Sequence, residues 1–307
     1  MPDGKTGDSP LSLCPPMAQI REIKLRMKAV ANIKRITRTM QMIATSKFSR
    51  AQMRATASKP YTEGVFDLVR ELSARAGNIS HPLIEGTRAG AKAPEIVLVL
   101  TSDRGLCGPY NGSVLRTAMP YLRAKTEAPR LTEIVGRKGL GVLKFNKFTI
   151  AAHHAEFGDN PKFDDVERLA QRYMDEFTRG EISGVKVVYM RFLSTARQRP
   201  EMLQLLPLKP PAPAEGEVAA ASVEYEFTPE PKKLLNDLLP VTVKTTLYQC
   251  FLDAVVSEHV ARMVAMKAAT DNAGKMGKSL QRTFNRARQA QITTELMEVI
   301  SGAAALE

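Results

Sequence analysis

The chain has 307 residues, 44% hydrophobic and 25% charged, which suits one large domain or two modest ones and excludes a disordered or collagen-like polymer. Its 44 Lys or Arg outnumber 32 Asp or Glu by +12, so the expected partners are acidic: nucleic acid, an anionic membrane surface or acidic protein surfaces. Three widely spaced cysteines exclude a disulfide framework and a zinc knuckle, the lack of Trp argues against an aromatic stacking platform, and no apolar run approaches the roughly 18 residues of a membrane-spanning helix.

Residues 1–16 are rich in proline, with two glycines, two aspartates and no arginine. They lack the apolar core of a secretory signal and the arginines of a transit peptide, and read as a disordered leader or as the product of a start site upstream of Met17. From 17 to 77 the pattern predicts one very long helix, interrupted only by Pro60 and Gly64. Its apolar residues Ile20, Ile23, Met27 and Val30 step by three and four, and Ile33, Ile36, Met40 and Ile43 extend the seam after a local stammer. Up to Lys59 this helix carries eleven Lys or Arg and one acid, Glu22. A helix of some sixty residues is roughly 90 Å long, more than a small domain can cover.

The middle, 78–239, reads as a small α/β domain. Residues 95–100 (EIVLVL) suit a buried parallel strand that ends in the turn 101–108, with a helix expected over about 111–125. A second strand follows at 131–135, a helix at 138–145 and an apolar-faced helix at 163–179; 185–192 and 202–206 are strands able to close as an antiparallel edge. Residues 207–221, rich in Pro and Ala, read as a linker. The last segment, 240–307, has no proline from Thr242 onward and shows helical periodicity through Leu247, Phe251, Val256, Val260 and Met263, then Met276, Leu280, Phe284 and Ala287, then Ile292, Leu296, Val299, Ala303 and Leu306. Two basic helices bracketing an α/β insert predict a long antiparallel coiled coil carrying a small Rossmann-like domain. Their charge either serves partners or only keeps the helices solvated.

No catalytic constellation emerges. The turn SDRGLCG (102–108) could cradle phosphate, but it lacks the first glycine of the dinucleotide fingerprint and a following acid; terminating the strand or presenting Arg104 to a partner fits it better. GKMGKS (274–279) has Asn272 where a P-loop needs glycine, and it lies in a helical stretch. Ser257, Glu258 and His259 are contiguous, so a helix points them about 100° apart and no triad forms. The four histidines make no metal cluster, and neither a metal nor a cofactor is expected.

Four stretches carry a resemblance: IKRITRTMQMIATSKFSRAQ (33–52), TSDRGLCGPYN (101–111), SEHVARMVAMKAATDNAG (257–274) and NRARQAQITTELMEVISGAAAL (285–306). Together they resemble the gamma subunit of F-type ATP synthase, the central rotor shaft, and the likeness runs from about Met17 to Leu306. The resemblance implies a non-catalytic coiled coil inside the hexamer of alpha and beta subunits and an α/β foot on the epsilon subunit and the c-ring. It places Arg288, Gln289 and Thr293 at a catch loop of beta, and Met40 with Arg35, Arg38 and Lys47 level with acidic loops of beta. It makes Ile300, Gly302, Ala303, Ala304 and Leu306 the bearing tip, with Arg104, Tyr225 and Phe227 as foot contacts. It implies no nucleic acid and no direct membrane span, and it puts the chain at the cytoplasmic face of a bacterial membrane or the inner face of an organelle's inner membrane. The paired cysteines of the plant-type redox insertion are absent. Two rivals stand beside this reading: an α/β enzyme using a nucleotide at the 102–108 turn, and a nucleic-acid binder using the basic helices.

Overall fold

The computed structural model describes residues 16–76, 81–85, 93–124, 128–208 and 231–304. The leader, most of the 207–221 linker, Tyr225, Phe227 and Leu306 lie outside them. In chain order the elements are α1 (Pro16–Ala76), α2 (Pro82–Glu85), β1 (Glu95–Leu100), α3 (Tyr110–Arg123), β2 (Arg130–Val135), α4 (Arg137–Phe145), β3 (Ile150–His154), α5 (Phe163–Thr178), β4 (Gly184–Phe192), β5 (Gln198–Leu206) and α6 (Pro231–Ala304). The two long helices are long antiparallel partners and the α/β domain is inserted between them. The chain divides into two compact units, one made of 1–41 with 266–307 and the other of 42–265.

In the first unit the ends of α1 and α6 run antiparallel. Val30 faces Gly277, Lys34 reaches Gly274, and the Thr37 and Thr270 hydroxyls meet at 2.8 Å. The α1 seam keeps strict heptad spacing, Ile23, Val30 and Thr37 being its buried positions, opposite Met266 and Ala273. The expected stammer is therefore absent. Ile33 and Ile36 are 51% and 55% exposed, and in the other unit Ile43 is 52% exposed. Ile36 adjoins Thr37, and neighbours on a helix point about 100° apart, so keeping Thr37 in the seam turns the isoleucine out. Seam continuity, a Thr–Thr hydrogen bond and the small Ala273 and Gly277 opposite hold this register in place of greater apolar burial. Met276 is likewise exposed, and Ala273, Gly277 and Leu280 line the seam instead.

The second unit is built on a five-stranded sheet in the order β3-β2-β1-β4-β5, parallel except for the antiparallel β4–β5 pair. Strand β1 is central, so its apolar run is buried on both faces. Ile96, Leu98 and Leu100 point into a core shared with α5 and α6, while Val97 and Val99 point into one shared with α3 and α4. Helix α6 begins at Pro231, a position where the missing N–H costs nothing, and passes through Pro240, upstream of the Thr242 that the proline-free stretch suggested. Burial of Leu235, Leu239 and Val243 in the core offsets the roughly 3 kcal/mol that an interior proline costs. Farther along the pair, Ala51 and Ala55 of α1 pack on Leu252 and Val256 of α6.

Candidate functional site

Folds with this strand order bind ligands at the carboxyl ends of the strands. Here that position is occupied by the chain itself. Beyond Leu100, Thr101 and Val135 lies a cavity of about 30 Å³, room for one water, walled by Phe157, Asp159 and by Phe251, Ala254, Val255 and Glu258 of α6. The turn after β1 is tied to α3 and α6 through the Ser102 amide and the Arg104 and Gly105 carbonyls. Ser102 N–H donates to Asn111 Oδ1 at 3.0 Å, Asn111 Nδ2 donates to Ser102 Oγ at 2.7 Å, and Arg262 of α6 donates to the carbonyls of Arg104 at 3.1 Å and Gly105 at 3.3 Å. The neighbouring turn after β2 closes on it: Gly139 N–H donates to Thr101 Oγ1 at 3.1 Å, and a Cβ at Gly139 would stand 2.5 Å from that oxygen. The carbonyls of Arg104 and Gly105 are taken by Arg262, and α6 fills the space beyond the strand ends, which counts against the nucleotide-enzyme reading at this turn. What sequence reasoning missed is the reason for the turn: it is a socket for Arg262.

The remaining chemistry-bearing groups have structural partners. Arg262 pairs with Glu258 at 2.6 Å, both nearly buried. Burial raises the Glu258 carboxyl in spite of the guanidinium beside it. Burial also pushes His259 down to about 4, so the imidazole is neutral at neutral pH. Ser257 Oγ donates to Met190 O at 3.1 Å, away from His259. His154 Nε2 meets Glu133 at 2.7 Å, where Tyr173 (2.7 Å) and Arg172 (2.6 Å) also donate to the same carboxylate. No group of His, Cys, Asp or Glu among the described residues could hold a metal, and Cys107 and Cys250 are buried free thiols.

The uncovered surface is on the helices. Carried to the N-terminus, the antiparallel register puts Pro16 of α1 level with about residue 291 of α6. Residues 292–304 of α6, roughly 20 Å of helix, extend past that level, and Ile292, Leu296, Met297, Val299 and Ile300 are all exposed there. Gly302, Ala303 and Ala304 end the described helix, also exposed. Just below, Arg288, Gln289 and Thr293 are exposed; Thr293 Oγ1 bonds back to Gln289 O at 3.0 Å, while the Arg288 and Gln289 side chains have no partner among the described residues. On α1, Met40 is half-buried on the side carrying Ile33 and Ile36, while Arg35 and Arg38 are exposed on the opposite side of the helix. Lys47 differs: it is half-buried and pairs with Asp159 of the sheet unit. Arg104 presents an exposed side chain while its carbonyl is held by Arg262.

Comparison with known proteins decides the family. A family model described as ATP synthase matches residues 19–306. The ATP synthase gamma chain of Rhodopirellula baltica is 42% identical over 297 residues, covering 95% of this chain and all of that one. The chain belongs to the ATP synthase gamma chain family. It is a non-catalytic subunit, the central rotor stalk of an F-type ATP synthase. The gamma chain of Dehalococcoides mccartyi is 39% identical over 94% of this chain and all of its own length. Among solved structures, a chain of the Euglena gracilis mitochondrial ATP synthase, in an assembly of OSCP, F1 and c-ring, superposes with a TM-score of 0.64 at 15% identity over 94% of this chain and 95% of that one. A rotor structure of the same enzyme gives 0.60 at 15% identity, covering 90% and 99%. No described helix is long and apolar enough to cross a membrane.

Proposed function

We propose that the chain transmits rotation from a c-ring to the hexamer of alpha and beta subunits, with the epsilon subunit on its foot, at the cytoplasmic face of a bacterial membrane. The observation that carries this reading is the end of α6 beyond about residue 291. Five large apolar side chains from Ile292 to Ile300 have no cover among the described residues and need an apolar sleeve, and small residues follow at 302–304. Arg288 and Gln289 sit at the base of that end with free donors, suited to acidic groups on a catch loop of beta. Thr293, one turn beyond Gln289, adds a hydroxyl to the same patch. Arg35 and Arg38, at the level of Met40 but on another face of α1, would meet acidic loops of beta through contacts of about 1.5–3 kcal/mol each, strong enough to bias a state and weak enough to break every step. Lys47 contributes less, because its ammonium is held by Asp159. At the foot, Arg104, Tyr225 and Phe227 are the proposed contacts to epsilon and the ring.

The test is co-expression with the alpha and beta subunits of the same organism, followed by sizing and an ATPase assay. The expected product holds three alpha, three beta and one copy of this chain, and multisite hydrolysis depends on it. Elution alone, with hydrolysis unchanged, refutes the proposal. Arg288→Ala with Gln289→Ala should lower turnover of the complex about tenfold or weaken assembly, since each loses a charge-assisted or polar contact. The isolated chain should melt unchanged, both positions being exposed.

A further inference from the structure

Helix α4 turns Gly139 and Leu143 into the core, and the opposite side of its nine residues faces outward. From 134 to 155 the chain carries four Lys or Arg and no Asp or Glu. Phe145, at the end of the helix, is 87% exposed, more than any other large apolar side chain among the described residues, and Val142 one turn earlier is also exposed. Lys138 precedes Phe145 by seven residues, about 20° away around the helix, and the exposed Gly141 between them leaves the face open. Lys144 and Lys147 flank the ring in sequence, and Arg123 at the end of α3 donates to Asn146 Oδ1 at 3.2 Å beside it. Arg137 is matched by Asp103 at 3.7 Å, whereas Lys138, Lys144 and Lys147 are exposed and make no ion pair with the described residues. Stability of α4 does not account for this pattern. Cations in the first turn oppose the helix dipole, no acid stands there to offset them, and a ring left in water gains nothing from burial.

We propose that this face of α4 rests on an anionic bilayer surface, with Phe145 entering the boundary between headgroups and acyl chains and Lys138, Lys144 and Lys147 on lipid phosphates. Charge complementarity selects the occupant: three unpaired ammonium groups on an acid-free stretch call for a surface dense in negative charge. The apolar anchor among them selects a bilayer over a soluble polyanion, which has nothing to offer a phenyl ring. Phe145 protrudes and lines no groove, so a fluid layer that deforms around it suits it, whereas a folded partner would need an apolar pocket rimmed by acids at matching positions. Each Lys close to such a surface strengthens partition about fivefold, so the three together supply about a hundredfold. That attraction is confined to a Debye length and is weakened by salt.

The sequence contains no tryptophan, so Phe145→Trp places a single fluorescent reporter on this face. The full chain carrying it is titrated with vesicles of phosphatidylglycerol and phosphatidylcholine in equal parts, and with vesicles of phosphatidylcholine alone. A blue shift of roughly 10 nm, with quenching by brominated acyl chains, is expected on the anionic vesicles only. Adding Lys138→Gln with Lys144→Gln, both at exposed helix positions, should weaken the partition about twentyfold and leave the melt of the chain unchanged. Vesicles that capture the chain only through the apolar end of α6 leave this tryptophan in water. Absence of the shift therefore overturns the proposal even where the chain sediments with lipid. An equal shift with soluble polyglutamate assigns the face to an acidic protein and overturns it as well, as does a partition unchanged by the lysine variants. The readout needs no other subunit, so its failure is separable from failure of the co-expression test.

Discussion

Replacing Arg262 with Met should be among the most damaging single changes in the sheet unit. The side chain is 8% exposed and makes four contacts: Glu258 at 2.6 Å, Arg104 O at 3.1 Å, Gly105 O at 3.3 Å and His259 Nδ1 at 3.5 Å. Breaking a buried ion pair from one side costs about 3–5 kcal/mol, because the partner charge stays buried. Arg104 O keeps the Ser102 hydroxyl at 2.8 Å, while Gly105 O and the more weakly held His259 Nδ1 lose their guanidinium partner. About 4 kcal/mol is the expected loss at neutral pH, or a fall in the urea midpoint of roughly 1.5 M at a slope of 2–3 kcal/mol per molar. Adding Glu258→Gln removes the stranded charge and should return about half of that. The pH dependence has a definite sign. The folded-state pKa of Glu258 is already raised, and without Arg262 it rises further, so the folded variant favours the neutral acid. The deficit of Arg262→Met against the parent should shrink from about pH 8 to about pH 5, as Glu258 takes up its proton. Urea melts of the full chain followed by circular dichroism measure all three. A midpoint shift under about 0.3 M, or a double variant as unstable as the sum of the singles, refutes the socket account of the turn.

Gly139→Ala should cost about 1–3 kcal/mol in the same melts, since its Cβ would overlap the buried side chains of Thr101 and Ile134, at 2.5 Å from Oγ1 and 2.7 Å from Cδ1. The Glu133–His154 pair should contribute only within a pH window. Burial alone would raise Glu133, but hydrogen bonds from His154, Tyr173 and Arg172 hold it below 4.5; burial would lower His154, but Glu133 holds it above 6.5. Stability from Glu133 is present above pH 4.5 and lost as pH falls through its depressed pKa, while that from His154 is present below pH 6.5 and lost as pH rises through its raised one. A double-mutant cycle with Glu133→Gln and His154→Gln should therefore show its largest coupling between those limits and little at pH 9 or above, roughly. Ile33→Ser with Ile36→Ser should leave the melt of the isolated chain within about 0.5 kcal/mol, because both already face solvent, yet reduce recovery of the complex with alpha and beta subunits on sizing. Unchanged recovery would show that this stripe meets no partner.

Much of the architecture is legible from local pattern. EIVLVL announces a strand buried on both faces, the proline-poor amphipathic ends announce long helices, and the antiparallel edge of 185–192 with 202–206 follows from two apolar runs in succession. Strand β3 is not legible in the same way. IAAHH is five residues long, half-buried at a sheet edge and ends in two histidines, of which His154 is there to reach Glu133. The seam of α1 is misread for a different reason. Hydrophobicity favours Ile33 and Ile36, and only the opposite helix, with Ala273, Gly277 and the Thr270 hydroxyl, makes Thr37 the better seam residue. The role of the 101–108 turn depends on Arg262, more than 150 residues away in sequence, and no local periodicity reports such a contact. Of the surface residues, the exposed end of α6 was readable as a small apolar tip, but the tie between Lys47 and Asp159 was not.

The filled crevice at the strand ends has a consequence for what the stalk can sense. Phe251, Ala254, Val255 and Glu258 stand to the sheet as a tethered ligand stands to its receptor. A tethered group acts at an effective concentration in the millimolar range or above, paying no translational cost on return. A diffusing nucleotide could reach these strand ends only by displacing that stretch of α6. The domain keeps the strand order of a nucleotide-binding fold while its ligand position is filled from within.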